Sequence, residues 1–166
     1  MTGLRIVSGG QTGVDRAALD AALLRGASCG GWCPAGRRAE DGPIADRYPL
    51  TEMASSDYIE RTVANARDSD ATLILCYAEF TEDTHSVSAG TTLTAEAAKN
   101  YNRPLFIARL VAGAADAGIV KDITAWIREH RVAALNIAGP RESECPGIYA
   151  SAYALILALI SEVLCQ

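Results

Sequence analysis

The chain has 166 residues, of which 49% are hydrophobic and 21% charged, a composition typical of a globular domain and not of a disordered or fibrous chain. Its 15 basic and 20 acidic residues give a net charge of −5, which provides no general attraction for nucleic acid. The longest strongly apolar run, residues 153–160, is far shorter than the roughly 20 residues that span a bilayer. We therefore expect a cytoplasmic protein that contacts neither nucleic acid nor a membrane.

The first elements predicted are a strand, a glycine turn and a helix. Residues 4–7 form a short apolar run, and small apolar residues recur with helical spacing over residues 14–24. Between them lies the turn, in which Thr12 and Asp15 have the spacing of a capping box. The alanine face of the helix is expected to pack closely on a sheet.

A weak second strand over residues 28–33 leads into a long segment without an apolar period. Residues 34–54 contain three prolines, two glycines and three arginines, which predicts a loop. Loops of this length are uncommon in compact domains and are usually functional. A helix then begins near Asp57, with one face formed by Tyr58, Ile59, Thr62, Val63 and Ala66.

The rest of the chain continues to alternate between strands and helices. Residues 72–77 are apolar on both faces, as expected of a central parallel strand. Further strands are predicted over residues 105–110 and 132–137, and helices after Gly90, over 119–127 and over 148–164. The alternation predicts a single α/β, Rossmann-like domain over residues 1–166, with an open parallel sheet of about five strands and helices on both faces.

The last predicted helix, residues 148–164, carries apolar residues around more of its circumference than one sheet face can cover. This pattern predicts self-association into a homo-oligomer, either a dimer or a tetramer. The alternative is a helix that is buried within its own domain.

The loops after the first, third and fifth predicted strands should share one edge of the sheet, because ligands of open parallel sheets bind at the carboxyl ends of the strands. The first loop precedes a helix N-terminus, an arrangement that suits phosphate or another oxyanion. The alternative is that its glycines serve packing alone. The loop is not a P-loop, since no Gly-Lys-Ser/Thr follows, and it is not a dinucleotide fingerprint, which needs glycine where Ser8 stands. The candidate binding residues are Gly9, Gly10, Gln11, Thr12 and Gly13.

The second loop repeats this arrangement with hydroxyl groups and amides at another helix N-terminus. Its candidate residues for holding an anion are Ser88, Gly90, Thr91 and Thr92. The alternative is that Thr91 or Thr92 simply caps its helix.

The third loop and the long loop add candidate arginines. Arg141 could grip a phosphate in bidentate fashion, with Ser143 as a further donor. A surface ion pair between Arg141 and Glu142 is the alternative. Arg37, in the long loop, is a further candidate contact for the same small anionic ligand.

Four segments together resemble the molybdenum cofactor carrier proteins. They are SGGQTGVDRAALD at 8–20, GGWCPAGRRAEDG at 30–42, GTTLT at 90–94 and NIAGPRES at 136–143. The resemblance implies a Rossmann-like carrier that binds and protects the molybdenum cofactor (molybdopterin), a phosphorylated pterin with a dithiolene. It also implies molybdoenzymes or cofactor-synthesis proteins as partners, and cofactor storage or transfer as the role.

The broader group resembles the lysine-decarboxylase-like phosphoribohydrolases, whose second loop reads Pro-Gly-Gly-x-Gly-Thr-x-x-Glu and supplies a catalytic glutamate. Here Thr94 stands in place of that glutamate, and Glu96 follows two residues later. A two-residue shift turns a side chain by about 200° around the helix, so we expect Glu96 to point away from the ligand. This comparison favours binding without turnover. The alternative is a nucleotide-processing hydrolase that uses an acid of the 34–54 loop, such as Glu40 or Asp41, with a nucleotide phosphate in place of the cofactor.

Overall fold

The computed structural model describes residues 3–77, 88–112 and 115–164. Its strands are β1 (Arg5–Val7), β2 (Cys29–Cys33), β3 (Arg38–Ala39), β4 (Gly42–Pro43), β5 (Leu50–Glu52), β6 (Ala71–Tyr77), β7 (Leu105–Leu110) and β8 (Ala134–Ala138). Its helices are α1 (Val14–Leu24), α2 (Tyr58–Arg67), α3 (Ala89–Asn100), α4 (Ala117–Glu129) and α5 (Ile148–Leu164). No helix in this described part of the chain is long and apolar enough to cross a membrane.

Six of the strands form one parallel sheet in the order β5-β2-β1-β8-β6-β7. Strand β6 is buried along residues 71–76, as its continuous apolar sequence predicts, but it lies next to the edge strand β7 and not at the centre of the sheet, where β1 and β8 lie. Helices α1, α4 and α5 pack together on one face, and α2 packs with α3 on the other. The predicted α/β, Rossmann-like fold is confirmed, with six strands in the sheet and not about five.

The sixth strand, β5, lies in the segment for which a loop is predicted. It pairs in parallel with β2 at the edge of the sheet, with Gly31 opposite Leu50 and Cys33 opposite Glu52. Strands β3 and β4 form a small antiparallel hairpin in the same segment. The prediction of an unstructured loop is therefore wrong here. Each of these strands has only two or three residues, too few to produce a hydrophobic period.

Two local helix predictions differ from the structure. Helix α1 begins at Val14 after Gly13, and the predicted capping box is absent because Asp15 accepts a hydrogen bond from the Gln11 amide instead. Helix α2 is capped by Asp57 as expected. However, Ile59 is 54% exposed, and α2 buries a face of small and polar residues: Thr62, Ala64, Asn65 and Ala66.

Strand β8 lies in the sheet between β1 and β6 and joins its two halves. The segments that follow these three adjacent strands therefore leave the sheet at the same edge, as the sequence predicts.

Candidate functional site

A cavity of about 520 Å³ lies at this edge of the sheet. Residues of four segments line it: the turn after β1, helix α2, the start of α3 and the turn after β8. The predicted binding residues that it brings together are Gln11, Ser88, Gly90, Thr92 and Arg141. The segment of the second loop that precedes Ser88 lies outside the described residues.

Gln11 lines this cavity, and its carboxamide is held in a fixed orientation. Its side chain is only 4% exposed, and its Oε1 accepts the amide N–H groups of Thr12, at 3.0 Å, and Glu40, at 2.9 Å. These two bonds fix the orientation of the carboxamide. Its Nε2 is buried and has no hydrogen-bond partner among the described residues. Buried polar atoms without partners are rare in folded proteins, and they indicate a missing ligand or water.

Arg61 supplies a second buried donor beside the first. Its Nη1 binds Oδ2 of Asp15 at 2.9 Å, and the Gln11 amide donates to the same oxygen at 3.3 Å. The Nε of Arg61 is buried and likewise lacks a partner in the described structure. Because both residues bind one carboxylate oxygen, their free donors lie on neighbouring side chains of the cavity wall.

Burial raises the pKa of the Asp15 carboxyl, although the Arg61 guanidinium and the Gln11 amide act in the opposite direction. The desolvation of the carboxylate therefore outweighs its ion pair. A protonated Asp15 would leave Arg61 less firmly held by its partner and more available to an incoming anion.

Arg141 lies over the ring of Tyr58, with 5.4 Å between the guanidinium carbon and the ring centroid. The predicted alternative, a surface pair with Glu142, is wrong. The Glu142 carboxylate instead accepts the amides of Gly147 and Tyr149 at the start of α5. The Arg141 guanidinium makes no close ion pair within the described part of the chain, although its charge acts on the Glu40 carboxylate and helps to lower the pKa of that group.

The start of α3 contributes backbone donors to the opposite wall. Ser88 caps this helix, and its Oγ accepts the Thr91 amide at 3.2 Å. The alternative that Thr91 or Thr92 provides the cap is therefore incorrect. Thr91 itself is buried beneath the cap and does not line the cavity. The exposed first turn, at Ala89 and Gly90, faces the cavity with the positive end of the helix dipole.

The glycines of the first loop are explained by packing. A Cβ at Gly9 would lie 1.7 Å from Nη1 of Arg61, and one at Gly10 would lie 2.6 Å from a methyl carbon of Leu50. At Gly13, which has a φ of 74°, a Cβ would lie 2.3 Å from the Pro140 carbonyl oxygen. These glycines do not line the cavity. Gly9 thus contributes indirectly, because its missing side chain makes room for Arg61.

Thr12 and Ser143 are brought together outside the cavity, where both donate hydrogen bonds to the carboxylate of Glu40. The next residue, Asp41, forms a bidentate pair with Arg16 at 3.2 Å. Glu40 and Asp41, two of the loop acids that the hydrolase alternative could use, are therefore bound to other side chains, and no acid of the 34–54 segment lines the cavity.

Arg37 also lies outside the cavity. Its guanidinium donates to the backbone carbonyls of Ile44, Ala45, Tyr48 and Leu50. It holds the long segment in its folded path, so the structure gives the predicted ligand contact no support at this position.

Glu96 lines the cavity, contrary to the expectation that it points away. It lies one helical turn after Thr92 and therefore shares the exposed face of α3 with that residue. Thr94 is 3% exposed, and its hydroxyl donates to the Gly90 carbonyl at 2.9 Å. Its hydroxyl proton is thus used within the helix.

The cavity residues that were not among the sequence-based candidates include Asp15, Tyr58 and Arg61. Arg61 lies on α2, whose buried residues are small or polar. This composition was the only feature of the helix that could have indicated a buried arginine. No group of three or more His, Cys, Asp and Glu side chains that could hold a metal ion occurs among the described residues. The charged groups of the cavity wall are the guanidinium groups of Arg61 and Arg141 and the carboxyl groups of Asp15 and Glu96.

Comparisons with known proteins agree with this architecture. Residues 6–160 match the circularly permuted YpsA SLOG family. The chain is also similar to a crystal structure described as "Putative molybdenum carrier protein" from Syntrophus aciditrophicus SB, with 36% identity, 95% coverage of each chain and a TM-score of 0.81. A search of curated proteins gives no match. The family match includes most of β1 and all of α2, α3 and β8, the elements from which or after which the cavity is lined.

Proposed function

Since the chain belongs to the circularly permuted YpsA SLOG family, we propose that it is a carrier that binds a molybdenum-containing anion in the cavity beside Gln11, Arg61 and Arg141. The cargo proposed is the molybdenum cofactor, which carries a phosphate on its pterin. Molybdoenzymes or cofactor-synthesis proteins would be its partners. The similar protein from Syntrophus aciditrophicus, described as a molybdenum carrier, supports molybdenum as part of the cargo.

The observation that carries the proposal is the pair of buried donors without partners, Nε2 of Gln11 and Nε of Arg61. A buried donor that lacks an acceptor costs about 1–3 kcal/mol, so an anion that accepts from both would remove that cost. Arg141 and the N-terminus of α3 add positive potential at the same cavity. A volume of about 520 Å³ is within the range of small-molecule sites.

The test is native mass spectrometry of the protein purified from molybdenum-replete and molybdenum-starved cells. We expect a bound mass that contains pterin and metal only in the first sample, with loss of that mass in Arg141→Ala. Arg131→Ala, at an exposed residue outside the cavity, is the matched control. Folded protein that carries no such mass from replete cells would contradict the proposal.

The position of Glu96 favours one second function. Its carboxylate lines the cavity, where it could act as a general base toward a bound nucleotide. General acid–base catalysis typically contributes 10²–10⁴-fold, so a hydrolase would lose activity of that order in Glu96→Gln. Incubation with adenosine monophosphate, followed by chromatography for free base, separates the two functions. Stoichiometric binding without product supports the carrier, whereas turnover that Glu96→Gln abolishes supports the hydrolase.

A further inference from the structure

A second cavity, of about 240 Å³, lies at the opposite edge of the sheet from the first. Its lining includes Arg5 and Ala134, the first residues of β1 and β8, and Asp68, which follows the last residue of α2. Helix α2 runs between the two edges, since its first residue, Tyr58, lines the first cavity. The two cavities share no lining residue, and what the second one binds does not depend on the function proposed for the first.

Arg5 supplies the second cavity with a positive charge. Its guanidinium occupies the space above Gly30, where a Cβ atom would lie 2.8 Å from Nη2 of the arginine. The guanidinium makes no ion pair and no side-chain hydrogen bond within the described part of the chain. A guanidinium whose donors are free can bind a carboxylate through two parallel hydrogen bonds.

Trp32 lies beside this guanidinium and is held at both ends. Gly30 and Trp32 are two residues apart in β2, so both positions face the same side of the sheet, about 7 Å from each other. The indole Nε1 donates to Asp68 at 2.9 Å, and the backbone amide and carbonyl of Trp32 bind the side chain of Asn65 at 2.8 and 3.0 Å. Asn65 is 2% exposed, so this attachment is shielded from water. The indole is therefore a preorganised aromatic wall.

The carboxylate of Asp68, the other charged group of this cavity, is already bound within the protein. Arg67 donates to its two oxygens at 2.6 and 2.8 Å, in addition to the bond from the Trp32 indole. The hydrogen bond from Arg67 lowers the pKa of this carboxyl, so Asp68 remains charged and paired at neutral pH. The unpaired charge of the cavity is the positive charge of Arg5, which requires an anionic ligand.

We propose that the second cavity binds a small planar carboxylate, with its carboxylate on the Arg5 guanidinium and its ring against Trp32. The cavity is smaller than the usual sites for drug-sized ligands, which begin at about 300 Å³, and this favours a single-ring acid of the size of benzoate over a nucleotide. Offset or edge-to-face contact with an indole stabilises an aromatic ring beyond the burial of its area. The remaining lining residues are compatible with such a ligand: Val7, Gly31 and Ala134 are small or apolar, and Thr51 adds a hydroxyl group.

The direct test follows the indole N–H resonances of the unmodified protein during titration with benzoate. The sequence contains two tryptophans, Trp32 and Trp126, and the second lies on α4, on the other face of the sheet. Benzoate should shift the Trp32 resonance in a saturable way and leave that of Trp126 in place. Neither tryptophan lines the first cavity, so binding there produces no such pattern. The absence of a saturable shift at Trp32 would overturn the proposal.

Three further probes separate the charge of the ligand from its ring. Benzamide keeps the ring without the charge, and we expect it to bind about tenfold more weakly than benzoate. Cyclohexanecarboxylate keeps the charge and the bulk but is not planar, and we expect a loss of about fivefold. Inorganic phosphate has the charge alone and should bind more weakly still. Equal affinity of benzamide would remove the role of Arg5, and equal affinity of either of the other two would contradict a site for a planar acid.

Variants of Arg5 test the same contact in the protein. Arg5→Gln should weaken benzoate binding about tenfold, measured by the Trp32 resonance. Arg5→Lys keeps the charge but loses the planar fork, so its affinity should lie between those of Arg5→Gln and the parent. Arg128→Gln removes the same charge from an exposed residue of α4 that lines neither cavity, and it should leave the affinity nearly unchanged. Parental affinity in folded Arg5→Gln, or equal losses in Arg5→Gln and Arg128→Gln, would show that Arg5 does not hold the carboxylate.

Discussion

Arg141 carries a charge that is free of ion pairs in the described structure, and it lies 5.4 Å above the ring of Tyr58. Arg141→Lys keeps the charge but loses the planar fork and most of the stacking. We expect a loss of affinity for guanosine monophosphate of about 1 kcal/mol in Arg141→Lys and more in Arg141→Ala, measured by calorimetry. If both variants bind as the parent does, Arg141 lies against the cavity without holding the ligand.

Asp15 makes anion binding sensitive to pH. Burial raises the pKa of its carboxyl, with Arg61 and Arg16 as the cationic groups that oppose the shift. Because protonation removes the carboxylate that competes for Arg61, affinity should increase as the pH falls through the raised pKa. Sulfate is a suitable probe, since it remains a dianion over this range. Its calorimetric affinity should vary with pH in the parent and much less in Asp15→Asn.

Glu96 is the other carboxyl of the cavity and provides the control for this pH profile. The pH dependence should persist in Glu96→Gln if Asp15 causes it. An affinity that is independent of pH in Glu96→Gln but varies with pH as in the parent in Asp15→Asn would assign the effect to Glu96. That result would contradict the prediction.

At the scale of elements, Glu40 joins the β3–β4 hairpin to the turn before α1 and to the segment before α5. Burial acts to raise the pKa of Glu40, but hydrogen bonds from Ser143 and Thr12 outweigh it and lower the pKa below the ordinary value. A lowered pKa in the folded state means that Glu40 stabilises the fold above the ordinary carboxyl range. This contribution is lost as the pH falls through the lowered pKa.

Glu40→Gln should therefore reduce the Tm at pH 7, and the difference from the parent should shrink toward pH 3. Thermal unfolding between these two pH values measures the effect. Glu60→Gln, at an exposed position on α2, is the matched control and should leave the Tm nearly unchanged. A difference between Glu40→Gln and the parent that is independent of pH would show that the carboxylate charge is not responsible.

Elements with a long, uniform pattern could be predicted from the sequence. Strand β6 has seven consecutive β-favouring or apolar residues, and α1 repeats alanine with helical spacing, so each has a local signal. Strand β5 has three residues, and two of them, Thr51 and Glu52, are exposed. Its existence depends on pairing with β2, about 20 residues earlier, which no local pattern encodes.

The site was predictable only to the level of its loops. The rule for parallel sheets places the turns after β1, β6 and β8 together, and it correctly brings Gln11, Ser88 and Arg141 to one cavity. It could not identify Arg61, because that side chain comes from α2 and reaches Asp15 only through the space above Gly9. Nor could it show that Glu40 engages Thr12 and Ser143, since those contacts join residues about 30 and 100 positions apart.

At the scale of the whole molecule, the predicted self-association depends on what covers α5. Its residues 155, 156, 159 and 160 are buried, and α1 and α4 pack against it. Leu157 and Val163 remain partly exposed, and Leu164 is 47% exposed. We expect a dimer or tetramer through this remaining apolar surface, in sedimentation at micromolar concentration. Leu164→Asp should shift the distribution toward monomer, and a monomeric parent would favour the alternative of a helix buried in its own domain.

The position of β8 in the sheet determines when the cavity can exist during protein synthesis. β8 is the last strand in the chain, yet it lies between β1 and β6, so the strands β5-β2-β1 and β6-β7 have no pairing with each other until β8 enters. Gly139 and Arg141, which follow β8, complete the cavity wall. Because domains fold as units while the ribosome extends the chain from its N-terminus, a nascent chain that ends before residue 134 has no complete cavity. For the carrier function that we propose, the cavity would therefore be able to take up a ligand only in the released or nearly complete protein.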